Sequence, residues 1–237
     1  MRSLNDILIE GLADWGDEAL NKKMDKQTSE EGIKNEIINW ISENYASDLY
    51  PMKKIIPNKL KITFNGDKFD IDYDGDIYVK NKTLDDLTNG VFQWGEVGGD
   101  FGCDHCRNLK SLEGCPKKVG GKIICRHCTH LKSLKGVPEE IGGSFMCFNC
   151  NSLKSLEYCP KKINGALYCH DCKLLKNLEG APEEVQGALD CRHCKSLTSL
   201  KGAPKVVKGS FICDNCGTKF TEEDVKNVSN VEGEIYC

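Results

Sequence analysis

The sequence predicts an α+β protein: a β-solenoid of about six 22-residue coils with parallel strands, preceded by a small N-terminal helix and a β-hairpin cap. Three observations lead to this prediction. Cys-x-x-Cys pairs recur every 22 residues from Cys103 onward, and leucine, proline and glycine columns recur with them. The chain before Cys103 contains no cysteine and has the pattern of a helix followed by an Asn-Gly hairpin. Self-similarity at such a period is typical of stacked repeats.

The repeat unit is x-φ-x-C-x-x-C-x-x-L-x-S-L-x-G-x-P-x-x-V-x-G, where φ is an apolar residue. Alternation in φ-x-C predicts a short strand that directs both side chains to the same face. Proline fixes its own φ and biases the preceding residue to extended geometry, so the return segment is predicted to be extended rather than helical. One coil cannot bury its apolar side alone, and stacked coils share one core. The six pairs begin at Cys103, Cys125, Cys147, Cys169, Cys191 and Cys213.

The repeat unit resembles the leucine-rich repeat family. FGCDHCRNL matches the family's strand pattern L-x-L-x-x-N/C-x-L, with one extra residue before the last leucine. The short proline-containing return resembles the short bacterial subtype. DFGCDHC and LKSLKGVPEEIGGSF are similar to segments of cysteine-rich repeat proteins that tailed phages of gut bacteria encode. The resemblance covers about residues 70–237, and it implies a phage-encoded solenoid that binds other proteins.

Both ends of the repeat array are predicted to carry caps. Ile33–Tyr45 has the apolar spacing of an amphipathic helix, and Leu60–Phe64 and Phe69–Tyr73 flank an Asn-Gly turn. Thr221 followed by three acidic residues predicts a helix N-cap, and V-x-G-x-φ-x-C returns at 231–237 as a final strand. We expect a flexible leader and linker over 1–30, the helix and hairpin cap over 31–76, and the solenoid over 77–237 with its C-terminal cap from about 217.

The first ten residues carry a second resemblance. Leu8-Ile9-Glu10 followed by Gly11 is similar to the end of capsid-targeting leaders in T-even-like phages, where a prohead protease cuts after a φ-x-E tripeptide. This resemblance implies cleavage between Glu10 and Gly11 and packaging inside a capsid. An amphipathic helix that docks on its own domain is an equally open interpretation of the same residues.

Composition and charge argue against several classes of protein. An odd count of 15 cysteines without an apolar signal region argues against a secreted disulfide scaffold, and no run approaches 18 apolar residues. We therefore expect a soluble protein inside a cell or a particle, without contact to a membrane. The phage resemblance implies the bacterial host cytoplasm or the virion interior, and we expect a monomer. Residues 101–237 hold 20 lysines and arginines against 16 acidic residues. This weak excess disfavours nucleic acid as a partner, because nucleic-acid binders usually carry a strong basic stripe.

The return segments alternate in charge, with PKKV, PEEI, PKKI and PEEV in successive coils. Stacking is predicted to bring Lys117 and Lys118 beside Glu139 and Glu140, and those glutamates beside the next lysine pair. Each exposed ion pair contributes little stability, but the alternation disfavours slipped registers.

The tandem Cys-x-x-Cys pairs leave two interpretations open. Their spacing falls in the range of a zinc ribbon. In the leucine-rich repeat resemblance, by contrast, the first cysteine is an inner apolar residue, and the second occupies a ladder position where a small polar side chain contacts the backbone of the next turn. Cys115 and Cys159 align with Val137 and Ala181, so cysteine also serves as a core residue here. We favour a metal-free thiol ladder without a cofactor. The zinc alternative would use the thiols with the loop histidines His105, His127, His170 and His193.

Function is predicted to lie on the concave strand face, because solenoids usually bind partners there. The outward positions around each strand carry aromatic, methionine and arginine side chains in the middle coils, and these types are enriched at interfaces. No P-loop, nucleophile elbow or H-E-x-x-H motif occurs, so we expect no enzyme. The prediction is a non-enzymatic solenoid with an unidentified protein partner, and the alternative is a multi-zinc structural or nucleic-acid-binding protein. The predicted partner-binding residues are Arg126, His127, Met146, Phe148, Tyr168, His170, Asp171, Arg192 and His193.

Overall fold

The computed structural model describes residues 30–47, 55, 59–64, 69–79, 83–88 and 92–237. It shows a parallel β-solenoid of about seven coils with a small helix near its N-terminal part, which confirms the predicted fold class. The predicted leader with Glu10 and Gly11, and the Asn-Gly turn of the hairpin, lie outside the described residues.

Two sheets run along the solenoid, and each has nine strands in the described part of the chain. Sheet A contains, in spatial order, β1 (Tyr45–Ala46), β4 (Ile77–Val79), β6 (Phe101–Gly102), β8 (Ile123–Ile124), β10 (Phe145–Met146), β12 (Leu167–Tyr168), β14 (Leu189–Asp190), β16 (Phe211–Ile212) and β18 (Ile235–Tyr236). Sheet B contains β2 (Leu60–Phe64), β3 (Phe69–Tyr73), β5 (Phe92–Val97), β7 (Lys118–Val119), β9 (Glu140–Ile141), β11 (Lys162–Ile163), β13 (Glu184–Val185), β15 (Val206–Val207) and β17 (Asn230–Val231). The helices within the described ranges are α1 (Glu30–Asn44) and α2 (Glu222–Lys226).

Each repeat adds one strand to each sheet, and neighbouring repeats align without a slip. In sheet A, Phe145 pairs with Ile123 on one side and Leu167 on the other. In sheet B, Ile163 pairs with Ile141. Partners lie 22 residues apart in the sequence, so the sequence period is the length of one coil.

The residue columns that repeat in the sequence fill the interior. In the central coil Phe145, Cys147, Cys150, Leu153 and Leu156 have no exposed surface. Burial of such apolar side chains is the main driving force of folding, and only stacking brings it about here. Cysteine is thus part of the core in each of the six coils that carry a Cys-x-x-Cys pair, with Cys115 and Cys159 buried as predicted.

Two glycines lie where neighbouring coils touch backbone to backbone between the two sheets. A Cβ atom on Gly142 would lie 1.9 Å from the carbonyl oxygen of Gly120, and one on Gly120 would lie 2.2 Å from that of Gly98. No side chain fits at these distances, so the glycines let the coils approach each other.

The N-terminal end is closed by elements that do not belong to the repeat. Ile37 and Ile41 of α1 are fully buried, as the helical spacing predicts. The helix begins three residues before the predicted start at Ile33, and it ends one residue before the predicted end, because Tyr45 begins β1 and pairs antiparallel with Val79 of β4. The Tyr45 hydroxyl donates a hydrogen bond to the carbonyl of Leu87, which fixes the buried ring.

The predicted hairpin strands are confirmed, and they extend the solenoid. β2 and β3 pair antiparallel, and β3 then pairs parallel with β5 at the end of sheet B. At the other end, the predicted cap at Thr221 is confirmed. The Thr221 hydroxyl accepts a hydrogen bond from the backbone N–H of Asp224 at 3.2 Å, and the Asp224 carboxylate accepts one from the backbone N–H of Thr221 at 2.8 Å. The final strand β18 pairs with β16.

Opposite charges pair between coils on sheet B and on the adjoining return segment. Lys162 binds Glu140 at 2.6 Å, and Lys161 binds Glu139. The predicted pairing of these two glutamates with the next lysines is confirmed, but their predicted pairing with Lys117 and Lys118 is not: Lys117 pairs with Asp70 at 2.8 Å and Lys118 with Glu96 at 2.9 Å. Glu96 lies before the first Cys-x-x-Cys repeat, so the repeat pattern did not predict it as the partner of Lys118.

Candidate functional site

The outer face of sheet A carries a line of side chains from five successive coils, of which Met146, Tyr168 and Ile212 are half-buried and the other two are buried. We call Ile124, Met146, Tyr168, Asp190 and Ile212 the A-face. These residues precede the first cysteine of each pair, and they point away from the core because side chains alternate along a strand. Neighbouring strands hold them in register, so that Met146 lies between Ile124 and Tyr168. The middle of the A-face is therefore a continuous apolar strip.

Beside the A-face, four aromatic and imidazole rings from four successive coils contact one another. We call His105, His127, Phe148 and His170 the ring stack. The His105 and His127 rings are stacked with centroids 4.6 Å apart, and the Phe148 and His170 rings are stacked at 4.3 Å. Phe148 meets His127 edge to face at 5.7 Å, which joins the two stacked pairs. Rings that cover each other's faces leave their edges for contact with a partner.

Ion pairs hold the arginines of this surface. The Arg126 guanidinium donates to the Asp104 carboxylate at 2.7 Å and lies 6.0 Å from the centre of the Phe148 ring. The Asp104 side chain is only 6% exposed, so this buried carboxylate holds the more exposed Arg126 side chain in one position. Three coils further along the solenoid, Arg192 pairs with the buried Asp190 at 3.4 Å. Burial raises the pKa of Asp190, although His170 and Arg192 oppose that rise.

The histidines differ in their surroundings. Burial and the neighbouring His105 hold the pKa of His127 below its ordinary value, so His127 is neutral at physiological pH. The Nδ1 atom of His170 lies 2.9 Å from the Asp171 carboxylate, and its side chain is 17% exposed. The ring stack therefore combines a neutral imidazole, an apolar ring and an imidazole held by a carboxylate.

Backbone geometry explains why one column of this surface contains only histidine, asparagine and aspartate. The residue before the second cysteine has a positive φ in every coil, for example 58° at His127 and 57° at Asp171. Asparagine, aspartate and histidine are the non-glycine residues that adopt this conformation most readily. The backbone N–H of His127 donates to the carbonyl of Phe148 in the next coil at 3.0 Å. The turn therefore selects the residue types, and only some of them also belong to the ring stack.

The structure brings together most of the predicted partner-binding residues. Arg126, His127, Phe148, His170 and Asp171 form one contact series, with Met146 and Tyr168 on the strands beside it. Arg192 and His193 lie in the next coil, where Arg192 pairs with Asp190. The sequence reasoning did not select Asp104, Asp190 or Ile124, and it considered His105 only as a zinc ligand. Their position in the repeat could have identified them, because each lies 22 residues from a selected residue and so occupies the same column in a neighbouring coil.

The cysteines form a hydrogen-bonded ladder inside the solenoid. After the first pair, the second cysteine of each pair donates through Sγ to the carbonyl of the first cysteine in the preceding coil, as Cys150 does to Cys125 at 3.1 Å. The expected contact with backbone is present, but it reaches the preceding coil instead of the next one. The same bond recurs at 3.1–3.3 Å for Cys128, Cys172, Cys194 and Cys216.

Burial keeps these thiols protonated. It raises the pKa of Cys172 to about 12 and that of Cys216 to about 11, and the pKa of Cys147 lies well above its ordinary value for the same reason. Zinc ligation would require thiolates that converge on one point. In the described ranges, no group of three or more histidine, cysteine, aspartate or glutamate side chains is arranged to hold a metal ion.

Comparison of the chain with protein-family models, with curated proteins and with solved structures finds no match in any of the three. In the described parts of the chain, no helix has the length and apolar character needed to cross a membrane.

Proposed function

We propose that this chain is a non-enzymatic solenoid that binds a protein partner through the ring stack and the A-face. The main support for this proposal is the continuous series of ring contacts from His105 to His170. The series spans four coils and lies beside the apolar strip of Met146 and Tyr168. Aromatic and arginine side chains held rigidly by their neighbours are typical anchors of protein interfaces.

The chemistry of this surface describes the partner. Met146 and Tyr168 offer apolar contact, while the ring edges and the Arg126 guanidinium offer hydrogen-bond donors at the border of the strip. The partner is therefore a protein surface with an apolar centre and acceptor groups, including carboxylates, at its rim. The Asp104 pairing holds Arg126 in place before binding, which lowers the entropic cost of the contact.

Capture from host-cell extract with matched variants tests the proposal. The face variant replaces Met146, Phe148 and Tyr168 by serine, and the control variant carries Glu140→Gln and Lys162→Gln on sheet B. A specific partner is captured by the wild type and by the control, and its affinity for the face variant is at least about thirtyfold weaker when measured with purified proteins. Equal binding of that partner by all three chains would contradict the proposal.

The same proposal includes the family and the origin of the chain. We assign it to the leucine-rich repeat solenoids of the short bacterial and tailed-phage type, acting as a monomer in the host cytoplasm or the virion interior. The 22-residue coil and the thiol ladder support the family, because the second cysteine bonds to the backbone of an adjacent coil, although this is the preceding coil and not the next one.

Packaging through a cleaved leader is the most specific part of the proposal. Its support is the φ-x-E tripeptide ending at Glu10, followed by Gly11. Intact-mass measurement of the protein from purified particles is expected to show a chain that begins at Gly11. A particle-associated chain that retains residues 1–10 would exclude this cleavage.

A further inference from the structure

One exposed column of the solenoid carries the same positive charge in four successive coils. Lys110, Lys132, Lys154 and Lys176 occupy the position after the first leucine of the repeat, and all four are exposed; we call them the lysine ridge. They are direct neighbours in the stack: the backbone N–H of Lys132 donates to the carbonyl of Lys110 at 2.9 Å. At the ~4.8 Å spacing of neighbouring strands the ridge spans about 14 Å.

The other charged columns of the solenoid are built differently. On sheet B, Lys162 pairs with Glu140 of the preceding coil, and on the return segment Lys205 pairs with Glu183. Closest to the ridge, Lys135 and Lys201 pair with Glu113 and Glu179, and these contacts raise the pKa of each lysine. Ion pairs between neighbouring coils thus neutralise these lysines.

The sign of the charge does not alternate along the lysine ridge. In the part of the chain that the structure describes, none of its four lysines forms an ion pair. Asp85 lines a cleft of about 370 Å³ with Lys110 and Lys132 at the N-terminal end, without pairing with either. Like charges on neighbouring coils repel each other, so the column costs the free chain stability. An anionic ligand with closely spaced charges would remove that cost.

Further basic side chains surround the ridge. In each of five coils, the seven residues that begin directly after the second cysteine form the edge that carries the ridge. Together these segments contain nine lysines and arginines and three glutamates. These segments are 107–113, 129–135, 151–157, 173–179 and 195–201. The small excess of positive charge over residues 101–237 is therefore concentrated on one edge, which the overall balance conceals.

We propose that the lysine ridge binds the phosphodiester backbone of a nucleic acid. A row of cations one coil apart matches a linear polyanion, and the ~14 Å row spans about eight phosphate charges of a duplex at one charge per ~1.7 Å. An anionic membrane fits less well, because interfacial binding also uses a broad apolar face, and Leu174 is the large apolar side chain exposed beside Lys173 and Lys176. This site is separate from the ring stack and does not depend on the proposed partner binding.

Fluorescence anisotropy with a labelled 20-nucleotide single strand and the corresponding duplex tests the proposal. The ridge variant replaces Lys110, Lys132, Lys154 and Lys176 by glutamine. The control variant replaces four paired lysines, Lys118, Lys161, Lys162 and Lys205, by glutamine, so both variants have the same net charge.

The wild type and the control are expected to bind with a log–log salt slope of about −3 to −4 on duplex, from ~0.9 per neutralised phosphate, and somewhat less on the single strand. The ridge variant is expected to bind at least about tenfold more weakly at low salt and with a slope near zero. Equal affinity of the two variants overturns the proposal. So does wild-type binding to phosphatidylserine vesicles or polyglutamate without binding to either nucleic acid.

Discussion

The two ends of the solenoid are finished in different ways. At the N-terminal end, β1 and the β2–β3 hairpin extend both sheets, and Trp94 and Tyr45 are buried beneath them. At the other end, β18 is the outermost described strand of sheet A, with Tyr236 52% exposed and Cys237 exposed. The repeat column that is buried inside the array is therefore accessible at Cys237, its outermost described member. A cysteine's chemistry here depends on its place in the stack more than on its motif.

The largest effect is expected at the closed end. Trp94→Ala removes a fully buried indole that packs edge to face on Tyr45 at 5.2 Å and on Phe92 at 5.4 Å. The expected loss is about 3–5 kcal/mol of unfolding free energy, from lost burial and the cavity that remains. Tyr236→Ala at the open end is the control and is expected to change stability by less than about 0.5 kcal/mol. Denaturant titrations followed by circular dichroism measure both, and equal losses would contradict the difference between the ends.

Thiol reactivity is expected to separate the ends next. Cys237 is exposed, and its Sγ lies 3.5 Å from that of Cys213. Oxidised glutathione should first form a mixed disulfide with Cys237. The Cys213 thiol then displaces glutathione, so that two protein thiols are oxidised while one glutathione disulfide is reduced to two thiols. Fully buried thiols such as Cys147 are expected to react at least about a hundredfold more slowly.

Peptide mapping after timed alkylation measures these rates. Cys237→Ser is the control, and it should abolish the fast loss of two thiols. Modification of Cys147 as fast as Cys237 would mean that the interior opens as readily as the end.

The same comparison can be made for the hydrogen bonds of the thiol ladder. Cys150→Ala leaves the carbonyl of Cys125 without its buried donor and removes a fully buried sulfur, with an expected cost of about 1–2 kcal/mol. Cys216→Ala removes the equivalent bond to Cys191 where the thiol is partly exposed, and should cost about half as much. Denaturant titration of the two variants measures the difference, and a larger loss at Cys216 would contradict it.

The sequence predicted those features that recur with the coil, because every coil repeats the same contact. The register of Phe145 on Leu167 and the burial of Cys147 follow directly from the 22-residue period. Contacts that occur once leave no such pattern. The antiparallel pairing of Tyr45 and the Lys118–Glu96 pair depend on single residues before the repeats, so sequence spacing could not identify them.

The candidate site shows the same limit. Its columns were predictable from alternation around the first cysteine, but ring contacts between different columns, such as His127 with Phe148, depend on turn geometry that the sequence does not display. The lysine ridge was visible in the sequence as a column. The charge balance over residues 101–237 conceals it, because basic and acidic residues on other columns nearly cancel.

The smallest expected effect concerns the capping box at the open end. Hydrogen bonds from the Thr221 side chain and backbone hold the pKa of Asp224 below its ordinary value. A carboxyl whose pKa is lowered on folding stabilises the folded state above its unfolded pKa. That stabilisation is lost as the pH falls from about 4 through the lower folded pKa.

Thr221→Ala should therefore reduce the hydrogen-exchange protection of the Val225 and Ser229 amides about fivefold at neutral pH. Acidification of the wild type below pH 4 should reduce it in the same direction. Asp224→Asn is the control, because its cap cannot titrate and its protection should show no acid step. Protection that is unchanged in Thr221→Ala would mean that α2 is held by the burial of Val225 alone, and that the cap at the open end adds nothing to it.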